Sequence, residues 1–155
     1  MTNIQPLNLD ELRQLASADG LAEQQVARLL SALENDDPEW RGWVDDALRK
    51  VEKIAAKEIP LLLERMQHSD PMIAGWACRL STKQTAVDTE VQQAICHVLE
   101  QHPDPIAQQD AVLALTKCDP WMETTESLIQ RVSNSAENPR LRRLASQALS
   151  DRSAA

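Results

Sequence analysis

Apolar residues recur along this chain at the three-and-four spacing of amphipathic helices, in alternating blocks. Val26, Leu29, Leu30 and Leu33 form one stripe, and Ile59, Leu62, Leu63 and Met66 another. Val91, Ala94, Ile95, Val98 and Leu99 form a third, and Leu128, Ile129 and Val132 a fourth. Residues so spaced share one face of a helix with 3.6 residues per turn, so each block predicts a helix with one buried side. After each block comes a second helix with a common opening. Its prolines stand at 38, 71, 105 and 139, so the unit repeats every 33 or 34 residues.

Counted from each proline, the second position holds Trp40, Ile73, Ala107 and Leu141, and the sixth Val44, Ala77, Ala111 and Ala145. The ninth holds Ala47, Leu80, Ala114 and Ala148, and the tenth Leu48, Ser81, Leu115 and Leu149. These positions fall on one face, rich in small residues that suit close helix packing. Asp37, Asp70, Asp104 and Asn138 stand just before the prolines, where a side-chain oxygen can accept from the free N–H groups of a helix start. Proline follows where its missing N–H does no harm. The unit is therefore helix A, turn, helix B. A further segment, Leu7 to Gly20, opens with a possible Asn8/Glu11 capping box and reads as an N-terminal capping helix.

The expectation is one all-α domain over 1–155, a solenoid with a cap over 1–20 and repeats at about 21–53, 54–86, 87–118 and 119–151. Composition agrees. With four Trp, no Phe, no Tyr and only three Gly, the core must be aliphatic and tight glycine turns must be few.

This repeated unit resembles the HEAT repeat family, including the shorter HEAT-like variant of phycobilin-lyase-type proteins. Leu33, Asp37, Pro38, Trp40, Arg41, Ala47 and Leu48 match its pattern in the first unit. Pro139, Leu141, Arg142, Ala145, Ala148 and Leu149 match it in the fourth, and the likeness spans about 21–151. The family's helix-B arginine is Ala74 in the second unit and Gln108 in the third, and Asn35 and His68 stand where it often has a turn aspartate. The resemblance implies a right-handed α-α superhelix of about four helix pairs. Tetratricopeptide repeats share the period but need a glycine where Leu48, Ser81, Leu115 and Leu149 stand, and bulky Tyr and Phe elsewhere.

The formal charge of −8 disfavours general binding to nucleic acid. Residues 84–130 carry eight acids against Lys117 alone, whereas 131–155 carry five Arg against Glu137 and Asp151. Such faces are either solvated or meet a partner of opposite sign. Cys78, Cys96 and Cys118 form no CxxC pair and sit in apolar helical contexts. No signal segment or membrane-length apolar run is evident, so a cytoplasmic monomer that avoids membranes is expected.

Candidate chemistry is sparse. His68, His97 and His102, with Cys96, are the only candidate soft ligands; neighbours on a helix diverge by about 100° and cannot easily share a metal. No nucleophile elbow or phosphate-binding glycine loop is present. Asp36-Asp37 and Asp45-Asp46 diverge likewise and read as solvated surface. No catalytic, cofactor or metal residue is assigned.

The candidates for binding lie on helix B. Gly42-Trp43 recurs as Gly75-Trp76, and the third unit has Asp110 at the tryptophan position. With Trp40 one turn earlier, these tryptophans either pack between repeats or anchor a partner. A carboxylate beside a tryptophan ledge is also found in HEAT-like base-excision glycosylases, which are longer and basic in the cleft. Lys50, Lys83 and Lys117 share the twelfth position, where they either serve the helix C-termini or form a basic stripe for an acidic or amphipathic peptide. The function expected is a scaffold or adaptor binding an unidentified protein or peptide on its helix-B surface, without catalysis. The alternative is a lyase-type HEAT enzyme subunit acting on a cofactor-bearing protein.

Overall fold

A computed structural model describes residues 6–17, 25–84 and 86–153. Among them the regular structure is helical: α1 (Leu9–Ser17), α2 (Gln25–Ala32), α3 (Pro38–Leu48), α4 (Ile59–Arg65), α5 (Pro71–Ser81), α6 (Thr89–Gln101), α7 (Pro105–Leu115), α8 (Glu123–Ser135) and α9 (Pro139–Ser153). A 3₁₀ turn at Ala56–Glu58 leads into α4. Gly20, the expected end of the capping helix, lies outside the described residues. No helix among the described residues is long and apolar enough to cross a membrane.

The phrase before each proline does the work its chemistry predicts. Oδ1 of Asp37 accepts from Glu39 N–H at 3.0 Å, that of Asp70 from Met72 at 2.9 Å, and that of Asp104 from Ile106 at 2.8 Å. Asn138 Oδ1 accepts from Leu141 at 3.0 Å. Asn8 accepts from Glu11 N–H and donates to its carboxylate, both at 2.8 Å, and so starts α1.

Turn geometry adds a second repeated device. Two residues before each aspartate, a side chain accepts from the aspartate's own N–H: Asn35 Oδ1 at 3.0 Å, His68 Nδ1 at 3.0 Å and His102 Nδ1 at 3.1 Å. The opposite nitrogen of His102 lies 3.1 Å from the carbonyl of His68. Since Nδ1 accepts, Nε2 carries the proton and donates, tying the two turns together.

The stripes bury as patterned. Val26, Leu29, Leu30, Leu33, Leu62, Ile95 and Ile129 are fully buried on the A side, and Val44, Ala47, Leu48, Ala77, Leu80, Ala111 and Leu115 on the B side. α5 packs along α7, and α7 along α9; α6 lies against both α7 and α8, and α1 against α3. Ala74, Gly75 and Cys78 on α5 and Ala107, Ala111 and Ala114 on α7 are buried. Such small side chains let helix axes approach closely. Neighbouring pairs are also joined by side chains. Arg65 reaches Glu34 at 3.1 Å, Arg131 reaches Glu100 at 2.9 Å, and Arg41 reaches Asp70.

Candidate functional site

The expected binding residues lie on α3, α5 and α7 or just past the C-terminal ends of those helices, and their surroundings differ. Trp40 is a packing residue: its indole N–H donates to Ala32 O at 2.7 Å, closing the C-terminal end of α2. Trp121 does the same for α7, donating to Leu115 O at 2.7 Å.

Trp43 and Trp76 have different surroundings. Trp43 is half-buried, with the guanidinium of Arg13 from α1 at 5.6 Å from its ring centre. Trp76 is only 3% exposed; its N–H donates to Asp45 Oδ1 at 3.0 Å, and Arg79 lies 4.1 Å over its ring. A guanidinium at that distance meets the negative face of the indole. Asp45 is therefore no solvated carboxylate. It also accepts from Arg49 Nε at 2.9 Å, which raises the arginine's already high pKa. The pairing escaped the sequence because it runs between units, from Asp45, five residues past Trp40 on α3, to the indole of α5.

Asp110 sits beside this group. Its carboxylate approaches Gly75 so closely that a Cβ there would overlap it, which gives that glycine a steric reason absent at Gly42. Among the described residues nothing donates a hydrogen bond to it. Burial raises its pKa, and Asp45 adds to the rise, while Arg79, Arg49 and Arg140 act against it. A carboxylate held ionised here costs stability. Its raised folded pKa means the chain gains stability as Asp110 protonates: the benefit is full below the unfolded value, about 3.9, and is lost as pH rises through the folded value. Asp110→Asn is expected to melt a few degrees higher at pH 7, roughly what 1 kcal/mol does in a chain of this size. The gap should close in acid. Thermal melts across pH 3–7 check this, and an advantage independent of pH would place the cause elsewhere.

The lysines divide. Lys83 and Lys117 line one open depression of about 400 Å³ with Arg79, Thr82, Leu113, Ala114 and Thr116, between the C-terminal ends of α5 and α7. Lys50 is exposed and lies outside that lining. Sequence reasoning missed Arg79 and Leu113 here. Leu113 could have been found, because it stands eight positions after Pro105 and off the buried stripe.

Cys78 and Cys118 are buried and Cys96 half-buried, all as free thiols. Burial pushes the Cys118 thiol up to about 11 and raises the other two, so none is a ready thiolate. Among the described residues no three His, Cys, Asp or Glu side chains gather as metal ligands. No protein-family model matches the chain, and comparison with curated proteins and with solved structures found no match.

Proposed function

We propose that the chain is a protein-binding scaffold: a right-handed superhelix of HEAT-like helix pairs that presents its helix-B surface to a protein or peptide. The observation that carries the reading is the open depression where Arg79, Lys83 and Lys117 converge around Leu113. Cations beside an uncovered apolar side chain, on a body of net charge −8, favour a partner of opposite charge with an apolar contact of its own. Trp76 lies under one of these cations, with Arg79 over its ring at 4.1 Å. A lyase-type enzyme subunit is the second reading, favoured by Asp110, a half-buried carboxylate that receives no hydrogen bond among the described residues.

Affinity capture from source-cell lysate separates these readings. Three baits are compared: wild type, Lys83→Glu/Lys117→Glu, and Arg131→Glu on the A side, each shown to be folded by circular dichroism. A protein held by wild type and Arg131→Glu but lost from the double variant is the expected result. A protein held equally by all three would reject the helix-B surface as the binding face. Asp110→Asn serves as a fourth bait, and a protein lost from it alone would favour the enzyme subunit.

A further inference from the structure

Among the described residues, the large apolar side chains left exposed are Leu9, Ile106 and Leu113. Two of them share α7. Ile106 is 58% exposed and Leu113 43%. Seven residues apart, they stand on the same side of the helix, about 10.5 Å from one another along its axis. Lys117 continues the line one turn further on, and Arg79 and Lys83 face it across the depression from α5. The line thus runs from apolar at one end of α7 to cationic at the other.

The two lysines at that end are available, whereas Arg79 stacks on Trp76. Among the described residues six arginines are paired with carboxylates (Arg13, Arg28, Arg41, Arg49, Arg65 and Arg131). Neither Lys83 nor Lys117 has a carboxylate within 4.0 Å among the described residues. Asp110, the one acid on α7, has its carboxylate against Gly75 of α5, and Asp119, two residues past Lys117, makes no ion pair with it.

We propose that this line is the docking site of an amphipathic helix from a partner protein. The docked helix carries two apolar anchors two turns apart, for Ile106 and Leu113, and a cluster of carboxylates at one end, for Lys83 and Lys117. The inference rests on the reading of the helix-B surface as a binding face and names the chemistry of its partner. Exposed apolar side chains at i and i+7 suit a helical ligand, since anchors on a helix recur at that interval. They also favour a peptide over a nucleic acid, which would meet the cations but leave Ile106 and Leu113 uncovered.

The test is selection from a displayed library of random peptides of about 18 residues, five helical turns, on the immobilised full-length chain. Enriched peptides are then titrated by fluorescence anisotropy. The expected pool has apolar residues at i and i+7 followed by Asp or Glu. Lys83→Glu/Lys117→Glu and Leu113→Asp, both folded by circular dichroism, should each weaken binding roughly tenfold or more, and salt should weaken it further. A pool without that pattern, or one unaffected by these variants but lost with Lys50→Glu or Arg143→Glu, overturns the inference and leaves the helix-B binding face standing. Failure to enrich any peptide, or displacement by single-stranded DNA at equal concentration, also overturns it.

Discussion

Replacing Gln92 by alanine is expected to cost roughly 3–4 kcal/mol and to lower the melting temperature by about 10 °C. Gln92 is a buried polar residue on α6 whose amide serves three partners. Its oxygen accepts from Met122 N–H at 2.8 Å and from the Thr125 hydroxyl at 2.6 Å, and its nitrogen donates to Pro120 O at 3.2 Å. Thr125 has one proton and spends it on Gln92, so the contact at 3.3 Å between Thr125 and Cys96 has the thiol as donor. The result is a closed network joining α6 to the segment that opens α8. Alanine removes the hub, leaves a backbone N–H and a backbone carbonyl without their partner, and opens a cavity. Gln92→Met separates the terms, because it restores most of the volume and none of the hydrogen bonds. It should melt between wild type and Gln92→Ala. The Met122 amide should exchange with solvent faster in both variants. A Gln92→Met protein as stable as wild type would show that the network contributes only packing.

Much of this fold is legible in the sequence because its determinants are local. An Asp-Pro or Asn-Pro phrase needs nothing beyond its next three residues to start a helix, and all four caps form. The apolar stripes likewise need only the helical period. What the sequence concealed depends on how one unit sits on the next. Trp76 lies about 70° off the centre of its stripe, and its burial follows from Asp45 and Arg79, which arrive from α3 and from its own next turn. The tryptophan ladder therefore does not act as one object: Trp43 faces an arginine from α1, and Trp76 a carboxylate from α3.

The lysine ladder splits for a related reason. α5 and α7 carry small buried side chains where they meet, which brings Lys83 and Lys117 to a shared depression. α3 reaches α5 through long side chains instead, as Arg41 and Asp45 show. The turn histidines were a missed signal of another kind. Asn35, His68, His102 and Ala136 are in register, three positions before the prolines, and three of them carry an acceptor that can receive the cap residue's N–H. A metal reading of the histidines tests the wrong property; the register, read alone, points to the turn. The candidate site is thus legible as to helix and face, and its members become definite only once the angle between neighbouring helices is known.

Arg41→Ala is expected to destabilise the chain by roughly 2–3 kcal/mol, more than any exposed ion pair here. Arg41 joins two units through three groups. Its Nη2 donates to Leu33 O at 2.6 Å and its Nε to Asn35 O at 3.1 Å, which occupies carbonyls at the end of α2. The guanidinium then forks onto Asp70, at 2.5 and 3.4 Å, where the carboxylate is already capping α5. Arg142 and Gln108 make the carbonyl half of this arrangement in their own units, to Ala136 at 2.7 Å and to His102 at 2.9 Å, so the ion pair is the part peculiar to Arg41. Lysine cannot present that fork, and Arg41→Lys should recover little. By contrast Arg131–Glu100 is solvent-exposed, and an exposed pair of that kind contributes little. The pH dependence identifies the mechanism. Burial opposes charge on Asp70, but the hydrogen bonds from Arg41 and Met72 prevail and hold its carboxyl below the usual range. A depressed folded pKa gives stability that is present above the unfolded value, about 3.9, and is lost as pH falls through the lower folded one. Wild type and Arg41→Ala should therefore differ most near neutral pH and converge as Asp70 protonates. They will not coincide, because the two carbonyl contacts do not titrate. Thermal melts of both proteins from about pH 2 to 7 measure the two parts separately: the difference that persists in acid belongs to the carbonyls, and the difference that disappears belongs to Asp70.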